Sequence, residues 1–300
     1  MGPRITVIGS INMDLMTKVG TVPQQGETVL GEDFTMVPGG KGANQAVAAA
    51  KLGGDVHFIG RVGNDLYGRQ LMEHMHQQGV SIDNLEPVTG FPTGIAIVLL
   101  SEQDNRIIVV QGANQAVTPA VVEMHEKVIA ESEIILLQLE IPLESVQKAA
   151  ELAKKNNTKV ILNPAPVHFL PETLLNYIDV LTPNKHEFDQ LFTKTQKQSR
   201  KSQCVITKGK DGVVFTVNDE EKTIEGYKVP VVDTTGAGDT FNGALAVAIS
   251  KGKSISKACT FANAAAALSV QKLGAQAGMP NMKAVQHFIL SNRQKKGIKD

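Results

Sequence analysis

Short apolar runs alternate with segments whose apolar positions recur every three or four residues, the mark of strands exchanging with helices. The runs predict strands at residues 4–10, 56–61, 134–140, 159–163, 180–183 and 204–208. Helical periodicity predicts helices at 43–52, 66–78, 119–130, 142–156, 239–250, 255–272 and 282–292. This order specifies an α/β fold with a mostly parallel central sheet flanked by helices. Residues 212–217 and 223–232 read as an antiparallel continuation of that sheet. Two stretches, 15–37 and 93–112, break the alternation with period-two patterns and turn signals at Gln24-Gln25-Gly26 and Gln103-Asp104-Asn105. They are expected to form a small antiparallel β lid on a single domain spanning 1–300. An apolar lid face calls for a cover, either substrate or a second copy of the chain.

Composition narrows the possibilities. The chain has 300 residues with 30 Lys plus Arg against 30 Asp plus Glu, so no net charge recruits nucleic acid or an anionic membrane. Aromatics are 4% and Trp is absent, which disfavours a base-stacking surface. Cys204 and Cys259 lie far apart and read as reduced, buried thiols. No apolar run reaches membrane-spanning length and no charged-then-apolar leader opens the chain, so a cytoplasmic protein is expected. The seven histidines show no metal-site spacing.

The most informative string is Asp233-Thr234-Thr235-Gly236-Ala237-Gly238-Asp239, placed between the apolar run 229–232 and a helix. Gly236, Ala237 and Gly238 can turn successive backbone N–H groups toward one point at a helix N-terminus, where a phosphate binds. Asp239 beside that nest is either a helix cap or a base that takes a proton from a hydroxyl attacking the phosphate. A helix N-terminus is expected to keep it ionised and weakly basic.

Further polar clusters follow strand ends, where open α/β sheets bind ligands. Asn12 and Asp14 come after the first strand and can be turn residues or ligand contacts. Glu140 ends the third, either as a charge before the helix opened by Pro142 or as a ligand contact. Gly39-Gly40-Lys41-Gly42-Ala43-Asn44 opens a small-residue helix; it lacks the Walker A pattern but suits a polyhydroxylated ligand against exposed backbone. Asn184-Lys185-His186-Glu187 and the turn around Thr207, Gly209 and Gly212 are further candidate loops.

The two glycine strings, 39–44 and 233–239, resemble the paired signatures of the PfkB carbohydrate kinase family, over nearly the whole length. Residues 9–14, 112–114, 137–140 and 274–276 bring the chain nearest to members acting on D-ribose. The resemblance implies ATP-dependent phosphorylation of the 5-hydroxyl with Mg²⁺ and K⁺. A homodimer joined through the lid sheets is the companion expectation of their exposed apolar face. It implies Asp239 as base, with the anion hole on Gly236, Ala237 and Gly238. Sugar contacts then fall on Asn12, Asp14, Gly40, Lys41, Asn44, Glu140 and Asp239. Nucleotide contacts fall on Asn184, Thr207, Gly209, Gly212, Gly238 and Asn263. Glu187 acts on Mg²⁺ through water, and K⁺ sits among Asp233, Thr235, Ser269, Lys272, Gly274 and Gly278. Departures from the family's usual pattern are Lys185 for an acidic residue, Gly278 for a serine, and a short segment from Phe188 to Gln203 that is expected to leave a sheet flank uncovered. Another sugar or nucleoside kinase of the family is the alternative reading, and a non-catalytic sugar- or nucleotide-binding protein is the alternative of a different class.

Overall fold

The computed structural model describes residues 2–101 and 105–295; Gln103 and Asp104 of the second expected turn lie outside them. In chain order the strands are β1 (Arg4–Ile8), β2 (Asn12–Lys18), β3 (Asp33–Gly39), β4 (Asp55–Gly63), β5 (Val80–Val88), β6 (Gly94–Leu100), β7 (Asn105–Val110), β8 (Ile134–Leu137), β9 (Lys159–Leu162), β10 (Val180–Leu181), β11 (Val205–Thr207), β12 (Val213–Val217) and β13 (Glu220–Ile224). The helices are α1 (Lys41–Lys51), α2 (Leu66–Gln77), α3 (Pro119–Met124), α4 (Glu126–Ala130), α5 (Leu143–Lys155), α6 (Glu172–Leu175), α7 (Lys185–Leu191), α8 (Lys194–Arg200), α9 (Ala237–Ser250), α10 (Ile255–Ser269), α11 (Ala275–Gly278) and α12 (Met282–Lys295).

Six parallel strands make the central sheet in the order β10-β9-β8-β1-β4-β5. Single parallel bridges, Leu181 to Cys204 and Asn184 to Thr207, join the antiparallel β11-β12-β13 ribbon to its β10 edge. Strands buried on both faces need apolar side chains at every position. In β8, Ile134 and Leu136 pack into one core beneath α1, α9 and α10, while Ile135 and Leu137 pack into the other beneath α5. α9 crosses α1 closely because Gly243 has no side chain: a Cβ there would lie 2.7 Å from the Cβ of Ala48. That crossing sets the distance between the first turns of the two helices.

The second sheet, β3-β2-β6-β7, is antiparallel at both outer pairings and parallel at its centre, β2 with β6. Its two halves enter from separate segments of the main body. It starts at Asn12, earlier than the alternation of residues 15–37 indicates. Both faces leave apolar side chains in solvent: by register Phe34, Met36, Ile108 and Val110 share one face, while Ile107 and Val109 lie on the other.

Several sequence expectations need correcting. The strand expected at 223–232 ends at Ile224, and residues 225–236 run irregularly. Pro230 cannot donate to a ladder, Val231 borders a cleft instead of a core, and Val231 and Val232 are each 61% exposed. The helix expected at 119–130 breaks at His125 into α3 and α4. β5 was not foreseen, because polar residues interrupt its apolar positions. The flank opposite 188–203 is not bare. Those residues form the end of α7, α8 and a short 3₁₀ turn, with Ile206 and Val214 buried beneath them.

Candidate active site

The candidate residues converge where α1 and α9 begin. Gly236 adopts a left-handed conformation (φ 73°) that turns the chain into α9 and leaves Asp239 in the first turn, 8% exposed. Two amides from α1 meet its carboxylate: Asn44 Nδ2 donates to Oδ2 at 3.0 Å and Gln45 Nε2 donates to Oδ1 at 3.1 Å. Burial pushes the proton affinity of Asp239 above the ordinary carboxylate range, while Lys41 and the two amides oppose that rise. Desolvation outweighs these lowering influences, so the carboxylate is more basic than its place at a helix N-terminus led the sequence to predict.

The sugar-side candidates cluster with it. Glu140 Oε2 accepts from Ser10 Oγ at 2.5 Å and from the backbone N–H of Lys41 at 3.0 Å. Its charge therefore sits on the N-terminus of α1, a third role beside the two the sequence left open. Asn12, 2% exposed, accepts from Asn114 Nδ2 at 2.7 Å, and Asn114 Oδ1 accepts from the N–H of Ile11 at 3.0 Å. Asp14 is raised to about 7, chiefly by burial and then by Glu140 and Asp239, against the opposing pull of Lys41. Burial would lower the Lys41 ammonium, yet Asp239, Glu140, Glu187 and Asp14 together carry it upward. One cation thus faces an excess of carboxylates.

On the other side of Asp239 a cleft of about 820 Å³ opens, which is nucleotide-sized. Thr207, Gly209, Gly212, Gly238 and Asn263 border it, and Val229, Val231, Ala266, Ala267 and Val270 supply an apolar wall. Asn184 lies next to Thr207 at its edge, with its side chain and that of Glu187 joined in a capping box on α7. Of the three expected nest groups, the N–H of Ala237 donates to the Thr234 carbonyl at 3.2 Å. Those of Gly236 and Gly238 have no partner among the described residues.

The expected cation residues also gather. Asp233 Oδ1 accepts from the backbone N–H and the hydroxyl of Thr235, and Oδ2 accepts from the N–H of Gly274 at 2.8 Å. Gly278 packs onto Ser269, where a Cβ would lie 2.2 Å from the Ser269 carbonyl oxygen; a serine at 278 would need α11 to shift. No group of three or more His, Cys, Asp or Glu able to hold a metal occurs among the described residues. A Mg²⁺ that keeps several waters and rides on phosphates needs only one or two carboxylates, so Glu187 fits that use. One carboxylate with backbone oxygens suits a large monovalent cation at Asp233.

Sequence reasoning missed Ser10, Gln45, Gln138, Asn163 and the part played by Gln276. Gln138 Nε2 donates to Gln45 Oε1 at 2.8 Å, and Gln45 Nε2 also donates to Asn163 Oδ1 at 3.2 Å. For Gln45 and Gln138 the signal was a Gln in an otherwise small or apolar run, such as Ile134–Leu139; Ser10 and Asn163 are ordinary polar residues just past strand ends.

Comparison with known proteins supplies the class. Residues 3–282 match the pfkB family of carbohydrate kinases. Ribokinase of Bacillus subtilis is 44% identical over 289 residues, covering 95% of this chain and 99% of that one. Ribokinase of Lactococcus lactis is 43% identical, with 94% and 96% covered. The solved structure of Arabidopsis thaliana ribokinase complexed with ribose and ATP aligns with a TM-score of 0.89 at 35% identity, covering 96% and 99%. The chain belongs to the pfkB family of carbohydrate kinases.

The raised Asp14 has a stability consequence with a definite sign. An acid more easily protonated when folded stabilises the fold below its unfolded value near 3.8, and that contribution is lost as pH rises toward about 7. Asp14→Asn removes the buried charge. Its unfolding free energy at pH 8 is expected to exceed that of the wild type by on the order of 1–3 kcal/mol, after discounting for solvent screening. At pH 4 the difference should vanish in urea titrations; a difference independent of pH would refute this assignment.

Proposed function

We propose that this chain transfers the γ-phosphoryl group of ATP to O5 of D-ribose, giving D-ribose 5-phosphate and ADP. The observation that carries the reading is the position of Asp239. Its carboxylate meets Asn44 and Gln45 beside the charges of Lys41 and Glu140, and the turn that carries it borders a nucleotide-sized cleft through Ala237 and Gly238. The relatives named above as ribokinases support the choice of sugar.

Asn12, Asp14, Lys41, Asn44 and Glu140, with the Gly40 backbone, hold the ring hydroxyls and leave the primary hydroxyl at the inner end beside Asp239. Asp239 accepts the O5 proton as O5 bonds to phosphorus and the bond to the ADP oxygen breaks. Gly236, Ala237 and Gly238 receive the transferring group's charge on their N–H groups, and Ala237 must exchange its Thr234 partner to do so. Phosphoryl transfer relies on positioning and charge stabilisation more than on a strong base. Asn184, Thr207, Gly209, Gly212, Gly238 and Asn263 hold the nucleotide.

Glu187 would hold Mg²⁺ through water, and the ion would offset phosphate charge when bound with ATP. Asp233, Thr235, Ser269, Lys272, Gly274 and Gly278 would hold K⁺, which would steady the loop before α9. The second sheet closes over the sugar as a lid on the single kinase domain and pairs with that of a second copy, which covers the face bearing Phe34, Met36, Ile108 and Val110. The protein works in the cytoplasm.

Three outcomes test this reading. Asp239→Asn is expected to cut ATP- and ribose-dependent ADP release by at least ~10³-fold; near wild-type turnover would reject the base. Turnover should rise when K⁺ replaces a large organic cation, and an unchanged rate removes K⁺. Sedimentation at micromolar protein should give a dimer that Ile108→Asp weakens, whereas a wild-type monomer would exclude the paired lids.

A further inference from the structure

A side-chain amide can present either its N–H or its C=O to a neighbour with almost no change of shape. What orients Asn44 therefore decides what Asp239 meets. An N–H favours the ionised carboxylate, whereas a C=O favours the protonated acid and opposes the ionised one. Gln276, 7% exposed, donates from Nε2 to Asn44 Oδ1 at 2.9 Å, which leaves Nδ2 of Asn44 for Asp239. The remaining oxygen of Gln276, Oε1, lies 2.7 Å from Nε2 of half-buried His74 on α2. An amide oxygen only accepts, so His74 carries a proton on Nε2 and donates it. Each link runs in one direction, from His74 to Gln276 to Asn44 to Asp239, and bonds in such a row strengthen one another.

Gln276 is also held by its main chain, whose carbonyl accepts from Lys51 Nζ at 2.7 Å. The row thus anchors on α2, on the last turn of α1 and on α11, and ends on the first turn of α9. Gln45 is oriented separately by Gln138, so the two carboxylate oxygens of Asp239 have independent supports.

We propose that His74 and Gln276 are positioning residues that lock the Asn44 amide with its N–H toward Asp239 and so hold the base ready to accept a proton. Neither touches the base; both act through Asn44. The inference rests on Asp239 being the base. The charged groups acting on Asp239 are Lys41 and Glu140, with Asp14 coupled to it from β2, and those beside the outer end of the row are Lys51 and its neighbour Lys272.

The test is the pH profile of kcat/KM for ribose in the wild type, Gln276→Glu, His74→Leu and His74→Gln, with KM for ATP measured alongside. A carboxylate at 276 accepts only, so it draws the N–H of Asn44 and turns its oxygen to Asp239. Gln276→Glu is expected to move the acid limb up by about one pH unit and to lower kcat about tenfold at unchanged KM for ATP. His74→Leu should move the limb in the same direction, and His74→Gln, which keeps an N–H donor, should restore it. An acid limb at the wild-type position in both Gln276→Glu and His74→Leu overturns the proposal. Should Gln276→Glu not fold, the His74 pair, at a half-buried site, decides alone. Asp239→Asn run in parallel keeps the two ideas apart. If it stays active, the base assignment fails. If it is inactive while the limbs do not move, only the positioning role fails.

Discussion

The whole arrangement depends on a carboxylate removed from water and given side-chain amides in its place. An ionised Asp buried without partners would cost several kcal/mol or simply take up a proton. Here Asn44 and Gln45 reach one oxygen each from the first turns of α1, and Lys41 supplies a positive charge close by. The amides can reach only because α1 and α9 cross at the Gly243–Ala48 contact, and the helices cross there because both pack on one face of the same sheet. Core packing and the chemistry of the base are thus one constraint.

That constraint explains the charge pattern around it. Asp14, Glu140 and Asp239 gather around a single Lys41, and burial, then Glu140 and Asp239, push Asp14 up to about 7. Sugar hydroxyls can donate to these acids and satisfy them without bringing further negative charge. In the proposed reading phosphate charge comes in over the start of α9, where Ala237 and Gly238 border the cleft and the N–H of Gly238 has no partner among the described residues. In that reading Asp239 serves as the base where the two regions meet, and the attacking oxygen reaches the phosphate there.

Much of this was legible in the sequence where chemistry is carried by neighbouring residues. The string Asp233 to Asp239 and the string Gly39 to Asn44 each show their glycines, charge and following helix in one place, and the structure brings both to one site. What was not legible depends on tertiary contact. Gln45, Gln138, Asn163, Gln276 and His74 lie far apart along the chain, and each alone is an ordinary polar residue; only folding assembles them behind Asp239. Val229 to Val232 misled for the complementary reason. An apolar run reads as a buried strand, but Val229 and Val231 border an open cleft that a nucleotide can fill, and Val232 is exposed. Glu140 was ambiguous because its partners, Ser10 and the N–H of Lys41, belong to other strands and helices.

The central claim, that Asp239 and the adjoining nest move a phosphoryl group onto the primary hydroxyl of a bound pentose, is tested most directly by the product itself. Proton-coupled ³¹P spectra of the protein with ATP, Mg²⁺, K⁺ and D-ribose distinguish the possible esters. A phosphate on the 5-carbon couples to two hydrogens and gives a triplet, and a single growing triplet matched by loss of the ATP γ-signal is the expected result. A doublet, from phosphate on a ring carbon, or the growth of inorganic phosphate alone would contradict the account.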